Sequence, residues 1–225
     1  MGPDFFVTRT SQGRAGSMAS EKMTRLAGFP WEIFDSRTNL GEESCMIAAL
    51  IADDDSLIGH LDAGSVDVLI SLGDLWDATI EKAAARYRPA RTFAVRGNHD
   101  SAAPFGEGIA SLHLRTESHG GLTFGGFDGS WRYKPRGHHL YDQEEVVKAL
   151  ASFPRVDVFV AHNSPRGVHE RDEEVHQGFD GLLDYVEREQ PAYLIHGHQH
   201  LNTVSLIGET QVIGVFGETV LELRV

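Results

Sequence analysis

One cysteine, Cys45, stands among 225 residues. No internal disulfide can form, and the chain suits a reducing compartment. That thiol reads as a small buried side chain on a helix. No apolar run approaches the roughly 20 residues of a membrane span, and no charged-then-apolar signal segment opens the chain. The expectation is a cytoplasmic protein with no membrane partner. Cations are also scarce, with 20 Lys and Arg against 33 Asp and Glu and a formal charge of −13. Binding to a nucleic-acid backbone needs clustered Lys and Arg, so a nuclease or nucleic-acid partner is disfavoured. Small phosphate esters are not excluded, because bound cations reverse the local field. Missing too are a glycine-rich loop ending in Lys-Ser or Lys-Thr, a Gly-X-Ser-X-Gly elbow and a His-Glu-X-X-His helix.

What is present is a series of apolar runs, each ending in a chemistry-bearing residue. Leu69-Ile70-Ser71-Leu72 leads to Gly73-Asp74, and Ala94-Val95 leads to Arg96-Gly97-Asn98-His99-Asp100. Val158 to Ala161 leads to His162-Asn163, and Leu194-Ile195 to His196-Gly197-His198-Gln199-His200. Val66 to Leu72 and Val156 to Ala161 read as buried strands, and in each run the Asp, Asn or His lies just where a strand would end. Those groups bind a divalent transition metal through mixed nitrogen and oxygen ligands. Each motif alone is weak; their order, each after an apolar strand, makes the set specific. His99 is an imidazole suited to acid–base work, with Asp100 placed to orient it.

The remaining elements follow from periodicity and breakers. Glu43 to Ala52 reads as a helix, with Asp53-Asp54-Asp55 as an exposed loop or helix end. Helices are also expected at Met18 to Leu26, Ala78 to Tyr87, Gln143 to Ser152 behind an Asp142 cap, and Gly178 to Glu189 before Pro191. Asp77 reads as a helix cap, and Trp76 as either a pocket wall or a core residue. Strands are expected at Arg91 to Val95 and Leu122 to Phe127. The runs Thr203 to Ile207, Gln211 to Phe216 and Val220 to Val225 read as a meander. Strands that first alternate with helices and then follow one another favour an α/β fold, a four-layer α/β/β/α sandwich in a single domain over 1–225, with residues 1–40 atypical. A loop holding Trp131, Tyr133, Lys134, Arg136, His138, His139 and Tyr141 reads as aromatics packed on the sandwich or as a lid. His169, Glu170, Arg171, Asp172 and His176 read as an exposed charged loop.

On Gly73-Asp74, Gly97-Asn98-His99-Asp100, His162 and Gly197-His198-Gln199-His200, the chain resembles the calcineurin-like metallophosphoesterases over about residues 66 to 216. The resemblance implies the same four-layer sandwich and a binuclear centre. Asp74 would bridge two metals, Asn98, His162 and His198 would complete one site, and His200 would serve the other. His99 would protonate the leaving oxygen. The implied activity is hydrolysis of a phosphomonoester or small, nucleotide-like phosphodiester by a metal-activated hydroxide, with Mn, Fe, Ni or Zn as one or two ions. The family's opening Asp-X-His is not found. If Phe5 to Thr8 is the first strand, Arg9 to Ser11 fills the slot; if Trp31 to Phe34 is, Asp35-Ser36-Arg37 does. Phe5 to Thr8 is the better strand, since Pro30 sits beside the alternative. Either register puts an arginine where a ligand belongs. Two readings follow: a one-metal phosphoesterase in which Arg9 or Arg37 replaces a cation's charge, or a catalytically degenerate metal- or partner-binding protein.

Overall fold

The computed structural model describes residues 45–62 and 64–224. The first described strand is β1 (Cys45–Ala52), followed by β2 (Val68–Ser71), helix α1 (Asp77–Tyr87), β3 (Arg91–Ala94), β4 (Ile109–Ser111), β5 (Thr116–His119) and β6 (Leu122–Phe127). Next come β7 (Ser130–Trp131), β8 (Leu140–Tyr141), α2 (Gln143–Leu150), β9 (Val158–Ala161), α3 (Asp180–Glu189), β10 (Tyr193–His196), β11 (Thr203–Ile207), β12 (Thr210–Gly214) and β13 (Gly217–Arg224). One sheet runs β13-β1-β2-β3-β4, a second runs β11-β12-β10-β9-β6-β5, and β7 with β8 forms a small parallel ribbon.

Strand alternation builds the layers. Ala48, Leu50 and Ala52 of β1, Val68 and Ile70 of β2, Val158 and Val160 of β9, and Ile195 of β10 meet in one apolar core between the two sheets. The intervening residues face outward: Ala49, Ile51 and Leu69 pack on Ile80, Ala83 and Tyr87 of α1. Phe159 and Leu194 pack on Val146 of α2 and on Leu182, Tyr185 and Val186 of α3. The result is the four-layer α/β/β/α sandwich expected from the order of elements. Among the described residues no helix is long and apolar enough to cross a membrane.

The expected helix over Glu43 to Ala52 is wrong: Cys45–Ala52 is a strand. It pairs antiparallel with β13 along its whole length and parallel with β2. Its alanines, leucine and methionine favour helix intrinsically, but every side chain from Ala48 to Ala52 is fully buried, and a run with no polar face fits a two-faced interior strand. Cys45 is accordingly exposed at the strand's start, its Sγ donating to Glu222. With β1 flanked by β2 and β13, the slot after the first described strand holds Asp53-Asp54-Asp55: Asp53 stands at the position expected for Arg9, and Asp55 at the one expected for Arg37. Phe5 to Thr8, Trp31 to Phe34 and Met18 to Leu26 lie outside the described residues. The expected meander is also corrected. Strands β11 and β12 form a hairpin, but β13 crosses to the other sheet, turning at Gly217, whose φ is +75°.

Helix ends follow local chemistry. Asp142 and Glu145 form a reciprocal capping box on α2. Trp76, not Asp77, is the N-cap of α1, and its side chain is 76% exposed, neither core nor pocket wall. Asp77 instead forms a forked ion pair with Arg96, whose guanidinium lies 3.6 Å from the centre of the Phe105 ring.

Because Leu50 is wholly buried between the sheets, Leu50→Ala should cost about 2–5 kcal/mol in chemical denaturation. Leu206→Ala, on a side chain 68% exposed, should change stability by less than about 0.5 kcal/mol. Equal losses at the two positions would contradict the placement of β1 in the core.

Candidate metal centre

The parallel strands of both sheets deliver their carboxyl ends to one rim. Asp53 follows β1, Asp74 follows β2, Asn98 and His99 follow β3, His162 follows β9, and His198 follows β10. The turns are tight. Gly73 has φ +95°, and a Cβ there would clash with the backbone nitrogen of Gly97 and lie 2.8 Å from His162 Nδ1. Gly97 has no room either, because a Cβ would overlap the Asp74 carboxylate. Four site residues sit in the left-handed region: Asp53 at φ 66°, Asp74 at 54°, His198 at 63° and His200 at 51°. Such conformations cost on the order of 1–3 kcal/mol each.

His162 is fully buried at the centre. Its Nδ1–H donates to the carbonyl of Leu72 at 2.7 Å, which directs Nε2 toward Asn98 Oδ1 at 3.2 Å and Asp74 Oδ2 at 3.4 Å. His198 donates Nε2–H to the carbonyl of Val175 at 2.8 Å, leaving Nδ1 with its lone pair. One ligand atom each from Asp74, His162 and His198 lies within 4.8 Å of the others, and the two imidazole rings are 4.8 Å apart. Nitrogen and oxygen ligand atoms thus converge on one point; in the metal-free protein a proton on His162 Nε2 lies between them, and a cation with bonds of about 2.0–2.2 Å would take its place. The donor set of imidazoles, carboxylate and amide oxygen suits a divalent transition ion.

Ionisation responds to this crowding. Burial opposes charge on His162, but Asp74 and its hydrogen bond prevail and raise it to about 9. Asp74 is likewise opposed by burial yet held well below the carboxylate range, chiefly by His162. Burial raises Asp53 to about 7, aided by Asp74 and resisted by His162. Burial also lowers His198 far below the usual imidazole value, in the form a metal requires.

Of the residues expected from sequence, Asp74, Asn98, His162 and His198 come together. His200 lies on the same cleft of about 350 Å³, with Asp53, His99 and His176. It stands outside the tight trio, its ring against Phe216 at 4.9 Å. The backbone N–H of His99 donates to Asp74 Oδ1 at 2.7 Å. Asp100 does not orient that imidazole as expected: its Oδ2 accepts the backbone N–H groups of Gly97 and Asp74 at 2.7 and 3.0 Å. Asn98 Nδ2 donates to the Tyr133 hydroxyl at 3.4 Å, so that loop reaches the site, while Trp131 and Tyr141 pack on the core.

Sequence reasoning misses two residues. Asp53 accepts the backbone N–H of His198 with both oxygens, at 3.1 and 3.0 Å. Its signal is an acid directly after an apolar run, masked because the composition of that run reads as helix. His176 belongs to a loop expected to be exposed. Arg171 to Glu174 are exposed, but His169 and His176 are half-buried. His169 donates Nδ1–H to His196 Nε2 at 2.8 Å and accepts from Ser205 Oγ at 2.9 Å. His196 donates its own Nδ1–H to the carbonyl of Gly197. Burial lowers His196 to about 3, so this chain is neutral. Gln199 Nε2 donates to Asn163, Ser164 and the carbonyl of His176. The loop is thereby fastened over the Gly197–His200 turn.

A family model described as calcineurin-like phosphoesterase matches residues 49–202. The chain belongs to that family. The family is metal-dependent, and the trio of Asp74, His162 and His198 is a possible metal site. No curated protein matches the sequence. One crystal structure superposes with a TM-score of 0.55 at 16% identity, covering 79% of this chain and 95% of that one. TT1561 of Thermus thermophilus gives 0.49 at 14% identity, covering 75% and 88%. Phosphopantetheinyl hydrolase (PptH) from Mycobacterium tuberculosis gives 0.49 at 14%, covering 75% and 89%. At such identities the likeness concerns the fold alone.

The raised Asp53 yields a signed prediction. The native carboxyl keeps its proton up to about 7, whereas the unfolded one loses it near the ordinary value of about 3.9. Native protein therefore binds more protons in that window, and this group's contribution to stability falls as pH rises through it. A cation favours the ionised carboxyl, so the rise in melting temperature on adding Mn²⁺ should grow from pH 5 to pH 8. In Asp53→Asn the metal-free protein should lose that component of the pH slope; superimposable slopes would refute the assignment.

Proposed function

We propose that the chain is a metal-dependent phosphoesterase acting on a phosphomonoester or small phosphodiester. The observation that carries this reading is the convergence of ligand atoms of Asp74, Asn98, His162 and His198 on one point at the strand ends. Asp74, Asn98, His162 and His198 would hold the ion, with Asp53 and His200 facing the same cleft. Mn, Fe, Ni and Zn all suit this donor set. A bound ion supplies a water of pKa about 7 and neutralises charge on phosphate oxygens.

The chain's own residues supply the rest. His99 lies on the cleft with its backbone tied to Asp74. It would hold its imidazole where a leaving oxygen departs and give that oxygen a proton. Asp100 fixes both strand-end turns by their amides, so the carboxylate and imidazole keep one spacing. The Asp77–Arg96 pair anchors the Asn98 turn from behind. The substrate's anionic group would be attracted by the loaded ion, not by side-chain cations, since no Lys or Arg lines the cleft among the described residues.

A second reading is a metal-holding protein without turnover. It is favoured by the third residue after β1: the family pattern calls for His there, and this chain has Asp55, whose carboxylate accepts the backbone N–H of Trp76 at 3.1 Å. Purified protein loaded in turn with Mn, Zn, Ni and Fe, then assayed on chromogenic mono- and diesters, separates the two. Hydrolysis should appear with at least one metal, and His99→Ala should lower kcat by about 10²–10⁴-fold. Bound metal without turnover of either ester would favour the second reading; unaltered kcat in His99→Ala would remove that imidazole from the proton transfer.

A further inference from the structure

We infer that His176 is a ligand of a second cation, held beside the first by Asp53, Asp74 and His200. This rests on the metal-centre reading above but assigns a donor from outside the strand-end motifs. The trio of Asp74, His162 and His198 accounts for one ion. Asp53, whose carboxylate accepts the His198 N–H, and His200 face the same cleft outside that trio. Two carboxylates facing one buried cleft repel each other, and a second positive charge between them resolves that. Asp55 does not supply the missing donor, since it is engaged by Trp76 N–H and does not line the cleft.

His176 is placed to do so. It ends the short 3-10 turn Glu174–His176 and lines the cleft with Asp53, Asp74 and His200. Its ring centre is 6.1 Å from that of His200 and 5.3 Å from that of His198. Two imidazoles sharing one ion through bonds of about 2.0–2.1 Å have centres roughly 4.5–6 Å apart, so His176 and His200 need close only slightly to share one. Its side chain is 13% exposed, and its Nδ1 is buried without a hydrogen bond, with Glu173 Oε2 at 3.3 Å as its ion-pair neighbour. A carboxylate such as Glu173 beside Nδ1 is the arrangement that metal-bound histidines commonly have, and it leaves Nε2 as the nitrogen to ligate. The backbone is fixed on both sides, the Val175 carbonyl by His198 Nε2–H and the His176 carbonyl by Gln199. Among the described residues only the first trio brings its ligand atoms within 4.8 Å of one another. The second set closes by side-chain rotation, and its ion binds more weakly.

The test is a Co²⁺ titration of metal-stripped protein, followed by calorimetry and by cobalt absorption. Wild type should take up two ions in a tight and a weak step. His176→Ala should keep the tight step, which also reports that the fold is intact, and lose the weak one. In a Cys45→Ser background, His176→Cys should restore the weak step and add a thiolate-to-cobalt charge-transfer band during that step alone. An unchanged weak step in His176→Ala, or a band-free second step in His176→Cys, overturns the assignment. A single ion in wild type overturns it too, while leaving the proposed phosphoesterase standing. No ion uptake at all ends both.

Discussion

The contact between Asp74 and His162 holds the site together, because it joins residues that belong to different sheets. Asp74 ends a strand of the first sheet and His162 a strand of the second, with 3.4 Å between Oδ2 and Nε2. The same seam carries His162 Nδ1–H to the carbonyl of Leu72, and His198 N–H to Asp53. Below it the sheets meet through an apolar core. Hydrophobic contact fixes how far apart the sheets lie but is non-directional. The polar seam sets how they register at one end, because a hydrogen bond tolerates little misplacement. A carboxylate and an imidazole brought together out of water are costly unless each stabilises the other's charge, and here each shifts the other toward ionisation.

Strain and desolvation concentrate at the same place. Asp53, Asp74, His198 and His200 all adopt left-handed backbone, and Asp53 is pushed toward neutrality by burial. None of this helps the fold. Left-handed residues turn the chain sharply off the sheet, so the side chain points across the rim and not along the strand. A cation would convert the repulsion among buried carboxylates into attraction, so the features that weaken the metal-free protein are those that favour the loaded one.

Much of this is legible in the sequence because strand ends in parallel sheets leave a plain mark. Val158 to Ala161 before His162 and Leu69 to Leu72 before Gly73-Asp74 are apolar on both faces, as a buried strand is. Their order then points to both the layers and the rim. Cys45–Ala52 hides because composition and context disagree: Ala, Leu and Met favour helix, whereas pairing with β2 and β13 imposes strand. Without that strand Asp53 has no evident place, and Phe5 and Trp31 become the nearest candidates for a first strand. The position of β13 is illegible for a different reason. A hairpin-like spacing does not reveal which sheet the next strand joins, and the turn at Gly217 permits the crossover. His176 carries no mark of its own, since a histidine in a charged loop becomes significant only when the loop folds back.

That folding back follows from the turn it covers. The left-handed residues His198 and His200 make the Gly197–His200 segment irregular, so its polar groups cannot be met by sheet partners. Val175 O and His176 O supply acceptors to His198 Nε2 and Gln199 Nε2. His169 and His196 then tie the loop's other arm to β11 through Ser205. The distortion that aims the imidazoles at the rim therefore also recruits the loop. The loop's hydrogen bond to His198 Nε2 in turn fixes which nitrogen of that imidazole is free to bind. Covering the turn and selecting the tautomer are one interaction, so this loop belongs to the centre as much as the strand ends do.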